Sequence, residues 1–189
     1  VKAGEGDEKV VALTADLSGS VRTQAFAEKF PKRFFQVGIA EQNLVSVASG
    51  LAAAGKIPFA ASYAVFSPGR SWEQIRTTIA YNNQPVIIVG SHAGVTTGPD
   101  GGTHQALEDI AITRVLPSMT VISPCDHIEA EKATLALAKK PRPSYLRLGR
   151  AKTPVITSPE TPFEIGKAEI FYEPKANKID VGIISTGWL

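Results

Sequence analysis

Short apolar runs alternate with longer helix-like stretches through residues 1–150, and this alternation restricts the fold more than any other feature. An uninterrupted run of about four apolar residues is typical of a strand buried on both faces. The predicted strands are 10–13, 34–37, 57–61, 86–89, 120–122 and 144–148. The predicted helices are 23–30, 40–54, 67–81, 104–115 and 126–140.

Buried strands that are separated by helices pair in parallel, because each helix returns the chain to the same edge of the sheet. We therefore predict an α/β fold with three layers, α/β/α, around a mostly parallel sheet. Ligands of such sheets bind beyond the carboxyl ends of the strands. Functional residues are thus expected in the segments that directly follow strands.

The pattern divides the chain into three regions. Residues 1–150 carry the alternation and are predicted to form one domain. Residues 151–178 contain several prolines and no clear periodicity, which indicates a linker. An apolar run from Ile179 to Ser185 predicts one more strand. We therefore interpret residues 179–189 as the truncated start of a C-terminal α/β domain and expect the natural chain to be longer.

Composition argues against several classes of function. The 20 Lys and Arg residues against 18 Asp and Glu give a formal net charge of +2, and no basic patch stands out. The single cysteine excludes an internal disulfide and fits a reducing compartment. The longest apolar stretch, residues 44–55, is too short to cross a bilayer. We therefore expect a cytoplasmic protein that binds neither nucleic acid nor membrane.

Glu41 is the main candidate for acid–base chemistry. It lies in the segment GIAEQN, residues 38–43, between a predicted strand and a helix of small apolar residues. An acid in the first turn can simply complement the helix dipole. A buried carboxylate is costly without a partner, however, and this favours a functional role. The residues alone leave both interpretations open.

A glycine-rich loop, residues 90–103, follows the most apolar predicted strand. His92, Asp100 and the adjacent His104 give it acid–base and hydrogen-bonding groups, while its glycines let backbone approach a ligand. It has no GxGxxG or GxxxxGK[ST] motif, so a nucleotide cradle is not indicated. Two histidines and one acid are weak evidence for a metal site, and an ordinary surface loop remains an alternative.

Aromatic and basic side chains follow two other predicted strands. Tyr63 and Phe66 come after the third strand, where ordinary core packing would also explain them. Arg147 and Arg150 end the sixth strand. Arginine at a carboxyl end suits an anionic group, although a surface ion pair is the default explanation for either residue.

Six motifs follow one another in a fixed order. They are GIAEQ, GLAAxGxxP, YxxF, GxxxGPDGGTH, PxMxVxxPxD and PSYLRLGR. In this order, from about residue 16 to residue 150, they resemble the pyrimidine-binding domain of thiamine-diphosphate enzymes of the transketolase group. Each motif is weak alone, but six in sequence with plausible gaps are highly specific.

The resemblance implies a role for each candidate residue. Glu41 matches the glutamate that hydrogen-bonds the aminopyrimidine ring of thiamine diphosphate and so activates it. Catalytic roles are implied for Glu41, His92 and His104. The cofactor would also contact Phe66 and Tyr63, whereas the sugar phosphate would contact His92, Asp100, His104, Arg150 and, more loosely, Arg22.

The resemblance also implies a partner. The diphosphate and metal site of the group, a GDG motif followed by an asparagine, is absent from these residues. An N-terminal transketolase subunit would then hold the diphosphate with Mg²⁺ or Ca²⁺, and this chain would hold no metal. A homo-oligomer is implied too, because the group builds its site across an interface. The implied reaction transfers a two-carbon ketol unit between sugar phosphates, as in the pentose phosphate pathway.

Three alternative functions remain open. One is 1-deoxyxylulose-5-phosphate synthase, but that resemblance would want Asp-Arg where this chain has Ser91-His92. Another is the β subunit of a 2-oxoacid dehydrogenase. The third, from a different class, is a non-catalytic assembly subunit, which would have no need of the polar candidates together.

Overall fold

The computed structural model describes residues 1–174 and 179–188, and it confirms the α/β fold. Its strands are β1 (Val10–Thr14), β2 (Phe34–Gln36), β3 (Ile57–Tyr63), β4 (Ile87–Ser91), β5 (Thr120–Ile122) and β6 (Ser144–Arg147). They form a six-stranded sheet in the order β2-β1-β3-β4-β6-β5. Every neighbouring pair is parallel. All six carboxyl ends therefore lie along one edge.

The helices are α1 (Lys2–Gly6), α2 (Gln24–Lys29), α3 (Glu41–Ala53), α4 (Trp72–Gln74), α5 (Asp109–Arg114) and α6 (His127–Lys139). A π-helical segment, Ile75–Ala80, continues α4. Short 3₁₀ turns occur at Pro31–Arg33, Gly98–Asp100 and Gly102–His104. The short helix α1 was not expected from the sequence.

Both faces of the sheet are buried, as the alternating side chains of β1 show. Val11 and Leu13 pack with Leu44 of α3 in one apolar cluster. Val10 and Ala12 belong to a second cluster, which also contains Phe26 of α2 together with Ala133 and Leu137 of α6. Successive side chains of a strand point to opposite faces, so the two clusters give the three predicted layers.

Two predicted helices begin later than expected. Ser67-Pro68 does not start a helix; its peptide bond is cis and lies in a turn, and α4 begins at Trp72. The predicted helix 104–115 is wrong at its start, because Gly94 and Ala106 form an antiparallel bridge that holds this segment extended. Helix α5 consequently begins at Asp109.

The strand predicted at Ile179–Ser185 is also wrong for this structure. These residues have no regular secondary structure and are exposed. Residues 151–174 likewise contain neither helix nor strand, while residues 175–178 of the predicted linker, and Leu189, lie outside the described residues. The division into a linker and a second domain stays a prediction. In the described part of the chain, no helix has the length and apolar character needed to cross a bilayer.

Asp126 anchors the segment after β6 to the domain. As predicted, it caps α6, accepting a hydrogen bond of 2.9 Å from Glu129 N. Its carboxylate also accepts bonds from Ile156 N, Thr157 N and Thr157 Oγ1 at 2.7–3.0 Å. Burial alone would raise the pKa of Asp126, but these hydrogen bonds outweigh burial and hold the pKa well below its usual range.

We expect Asp126→Ala to lower the free energy of unfolding by about 2–3 kcal/mol at pH 7, because a helix cap and a buried tether are lost together. A carboxyl whose pKa is lowered by folding stabilises the protein above its unfolded pKa, near ~3.9, and that contribution fades as pH falls further. The stability difference between wild type and Asp126→Asn should therefore shrink between pH 7 and pH 3. Urea denaturation at both values measures it.

Glu8→Gln is the control, because Glu8 is an exposed acid. An unchanged difference between wild type and Asp126→Asn at the two pH values would show that the Asp126 carboxylate is not the group responsible.

Candidate functional site

Glu41 lies at the first residue of α3, directly after the carboxyl end of β2. Its side chain is only 3% exposed, and Arg70 Nη1 donates a hydrogen bond of 2.8 Å to Glu41 Oε2. Arg70 comes from the turn between β3 and α4 and is 52% exposed. The sequence left Arg70 without an assigned role. A buried acid with a half-exposed partner is placed to interact with a ligand as well as with the protein.

Tyr63 and Phe66 form an aromatic wall beside this carboxylate. Tyr63 ends β3, and the ring centroids of Tyr63 and Phe66 lie 5.8 Å apart with an interplanar angle of 3°. The Arg70 guanidinium lies over the Phe66 ring, 5.0 Å from its centroid. Arg70 therefore joins Glu41 to the wall.

The two histidines of the glycine-rich loop reach the same wall. The His92 ring stacks on Tyr63 with centroids 3.9 Å apart. His104 presents an edge-on contact to Phe66 at 5.3 Å and to Tyr63 at 6.0 Å. His92 has a backbone φ of 55°, and its Nδ1 shares a hydrogen bond of 2.7 Å with Ser91 Oγ. The fold thus brings together four of the residues predicted from separate motifs.

The electrostatics around His92 favour the neutral imidazole. Burial lowers its pKa most, and the positive charge of Arg150 lowers it further. Asp100 acts in the opposite direction, and His104 adds a smaller lowering effect. His92 is 7% exposed, so at neutral pH it is a hydrogen-bonding group rather than a fixed charge.

The two arginines that were predicted to bind the sugar phosphate, Arg150 and Arg22, differ in their surroundings. Arg150 is exposed and lies against the loop, with Nη1 2.6 Å from where a Cβ on Gly98 would be. Its charge lowers the pKa of His92, whereas that of Asp100 raises it. Arg22 is exposed after β1. In the part of the chain that the structure describes, Arg22 makes no ion pair with this cluster.

Arg147, by contrast, belongs to a buried network that the sequence did not indicate. Its Nε donates a hydrogen bond of 2.8 Å to Asp109 Oδ2, and Tyr145 Oη donates one of 2.7 Å to the same oxygen. Burial raises the pKa of Tyr145, and the Asp109 charge adds to the rise. The simple explanation of a surface ion pair is therefore wrong for Arg147, since Asp109 is 1% exposed. Spacing along the chain gave no signal for this pair.

The cluster suits the pyrimidine end of thiamine diphosphate. A buried carboxylate offers a hydrogen-bond acceptor to a ring nitrogen, and the face of Phe66 offers a stacking surface for an aromatic ring. Within residues 1–174 and 179–188, no three His, Cys, Asp or Glu side chains lie close enough together to hold a metal ion.

The chain is similar to several proteins that are named as transketolases or transketolase subunits. Residues 1–155 match the family described as the transketolase pyrimidine-binding domain. A Methanocaldococcus jannaschii protein, named provisionally as a transketolase C-terminal section, is 45% identical over 189 residues, which are 99% of this chain and 58% of the relative. A subunit of the 6-deoxy-6-sulfo-D-fructose transketolase of a Clostridium species is 39% identical, covering 96% of this chain and 55% of that protein.

One solved structure points to the same family. A structure described as a split-gene transketolase, an inactive β₄ tetramer, superposes with a TM-score of 0.81 at 45% identity, covering 91% of this chain and 55% of that one. The chain thus spans slightly more than half the length of the relatives it matches.

We expect Arg70→Met to lower the free energy of unfolding by roughly 1–2 kcal/mol, because it leaves the Glu41 carboxylate buried without its partner. The half-exposed position of Arg70 keeps this effect below that of a fully buried pair. In the Glu41→Gln background, the same substitution should cost much less, since no unpaired charge is left. A double-mutant cycle by chemical denaturation measures the coupling, and a coupling near zero would contradict the ion pair.

Proposed function

Because this chain belongs to the transketolase family, we propose that it is the C-terminal subunit of a thiamine-diphosphate-dependent transketolase that transfers a two-carbon ketol unit between sugar phosphates. The observation that carries the proposal is the buried Glu41 carboxylate beside the Tyr63–Phe66 wall. Bound thiamine diphosphate would supply the carbanion-stabilising group that ketol transfer requires. The single thiol fits a cytoplasmic location for this chemistry.

Glu41 is the proposed proton-sharing residue. Its burial excludes water, so a hydrogen bond between one carboxyl oxygen and a ring nitrogen of the cofactor, with the proton shared between them, would be stronger than in solvent. Arg70 donates to Oε2 and leaves Oε1 for this second contact. The carboxylate can then hold a proton at that nitrogen or release it, which is the role of a general acid–base.

The aromatic wall orients the cofactor ring against Glu41. Phe66 is partly exposed, and its ring contacts an edge-on histidine, the parallel Tyr63 ring and the Arg70 guanidinium. Stacking of an aromatic ring on Phe66 would fix its plane, while the hydrogen bond to Glu41 would fix its rotation. Tyr63 is 8% exposed and acts mainly as support for Phe66 and His92.

The histidines, Asp100 and Arg150 are the proposed substrate contacts. Neutral His92 and half-buried His104 can exchange hydrogen bonds with sugar hydroxyl groups, and Asp100 can accept from them. Arg150 carries its charge at the exposed rim, where a phosphate could remain partly solvated. A non-catalytic assembly subunit would not need this convergence of polar groups around one wall.

A second chain is proposed to complete the site, and three exposed apolar residues support this. Ile39 is 78% exposed, Val95 62% and Leu107 68%, and all three lie in the segments that carry the site. We propose that an N-terminal subunit covers them and holds the diphosphate with Mg²⁺ or Ca²⁺. A related split transketolase is described as inactive when it is a tetramer of β subunits, which supports a requirement for a different subunit and a tendency to oligomerise.

We expect Glu41→Gln to lower turnover of the reconstituted enzyme by ~100- to 10,000-fold, because the amide cannot exchange a proton with the cofactor ring. Glu73→Gln is the matched control, since Glu73 is another first-turn acid but is exposed. Steady-state kinetics measure turnover, and circular dichroism verifies folding. Activity of Glu41→Gln within a few-fold of wild type would reject the assignment.

We expect this chain alone to bind thiamine diphosphate poorly and to gain affinity when a subunit with a GDG motif is added. Without a site for the dianionic end, the pyrimidine contacts alone must offset an association cost of ~4–15 kcal/mol. When the partner's diphosphate site lies at one interface with the pyrimidine site of this chain, cofactor bound at one site contacts the other site within the same complex. Titration calorimetry with cofactor and Mg²⁺ is the measurement. Micromolar or tighter binding by the isolated chain would falsify the proposal that the cofactor site is divided between two chains.

A further inference from the structure

Trp188 is distant in sequence from every motif described above, yet its indole lies among the segments that carry the site. It packs against a small buried cluster formed by Ala64, Ala93 and Ala106. Ala93 directly follows His92, and Ala106 lies two positions after His104. The indole therefore touches the backbone segments that hold both histidines.

The same ring also contacts the end of β6. A Cβ added at Gly149 would lie 3.1 Å from Trp188 Cε2, so the glycine backbone and the indole are in close contact. Gly149 directly precedes Arg150. The guanidinium of Arg147 lies over the ring, 4.6 Å from its centroid, and also donates a hydrogen bond from Nε to Asp109.

Small residues make room for the indole on each segment that it contacts. The three alanines and Gly149 have little or no side chain, and a Cβ at Gly94 would lie 3.8 Å from Trp188 Cζ2. Backbone hydrogen bonds then join these segments. Ala93 N donates to Leu148 O at 3.1 Å, and Gly94 N donates to Ala106 O at 2.8 Å.

We propose that Trp188 is a positioning residue that holds the His92 loop, the His104 segment and the Arg150 end of β6 in one arrangement. A loop rich in glycine has little conformational preference of its own, so packing from outside must select one conformation. The cation–π contact with Arg147 ties the indole to the buried Asp109 network. The consequence for catalysis rests on the proposed function, whereas the effect on loop order does not.

Hydrogen–deuterium exchange of the folded chain tests the effect on loop order. Trp188→Ala should speed exchange of the Ala93, Gly94 and Ala106 amides by about tenfold or more, because local opening becomes easier. Trp188→Phe should restore most of the protection. Trp72→Phe and Gly182→Ala are the controls. Trp72 packs against the apolar cluster that contains Leu44, and a Cβ at Gly182 would have no heavy atom within 4 Å. Unchanged exchange of the three amides in Trp188→Ala would overturn the proposal.

Steady-state kinetics of the complex with the partner subunit test whether Trp188 positions the proposed substrate contacts. Trp188→Ala should lower kcat/KM by roughly 10- to 100-fold, mainly by raising KM for the phosphorylated sugar, and Trp188→Phe should recover it. A residue that only stabilised the fold would reduce the amount of active enzyme and leave KM unchanged, which would overturn a positioning role. If wild type shows no ketol transfer, the proposed function fails, and the exchange measurement still decides whether Trp188 orders the loops.

Gly149→Ala provides a second variant in case Trp188→Ala does not fold. The added methyl group would lie 3.1 Å from Trp188 Cε2, so the indole must shift by a few tenths of an ångström while the rest of its packing surface is retained. Smaller changes of exchange and KM in the same direction are expected, and wild-type values for both would overturn the proposal.

Discussion

Burial of both faces of an all-parallel sheet is the constraint on which the rest of this structure depends. Residues of one strand, such as Val10 and Val11, enter different apolar clusters, so neither face is available for polar chemistry. Polar groups can then converge only at an edge of the sheet. Because parallel strands run in one direction, their carboxyl ends share an edge, and Glu41, His92 and Arg150 lie in segments that follow three different strands there.

The site is built from pairs of contacts rather than from one dominant interaction. Arg70 joins the Glu41 carboxylate to the Phe66 ring, and Tyr63 joins Phe66 to His92 through two stacked pairs. Each contact is individually modest. Together they give a buried acid, an aromatic face and two imidazoles a common geometry, which is the pre-organisation that binding and proton transfer both require.

The loops at this edge need support from outside themselves. The His92 loop contains several glycines and a residue at positive φ, so its own backbone preferences do not select one conformation. The Gly94–Ala106 bridge and the packing of Trp188 select it instead. The Asp126–Thr157 tether does the same for the segment after β6. Contacts between segments that are distant in sequence thus order the loops of this domain.

By itself, the sequence determined the six strands, the α/β class and the N-cap at Asp126, and it indicated Glu41 as the candidate carboxylate. These follow from local patterns, namely apolar periodicity, capping residues and motif order. Only the tertiary structure decided that Arg70 pairs with Glu41, that Arg147 is buried against Asp109 and that Trp188 reaches the site. It also showed that the α-helix predicted to start at His104 starts at Asp109, after a bridge between Gly94 and Ala106. The physical reason is that such pairings join residues 29 and 38 positions apart, and no local preference encodes which distant partner a side chain meets.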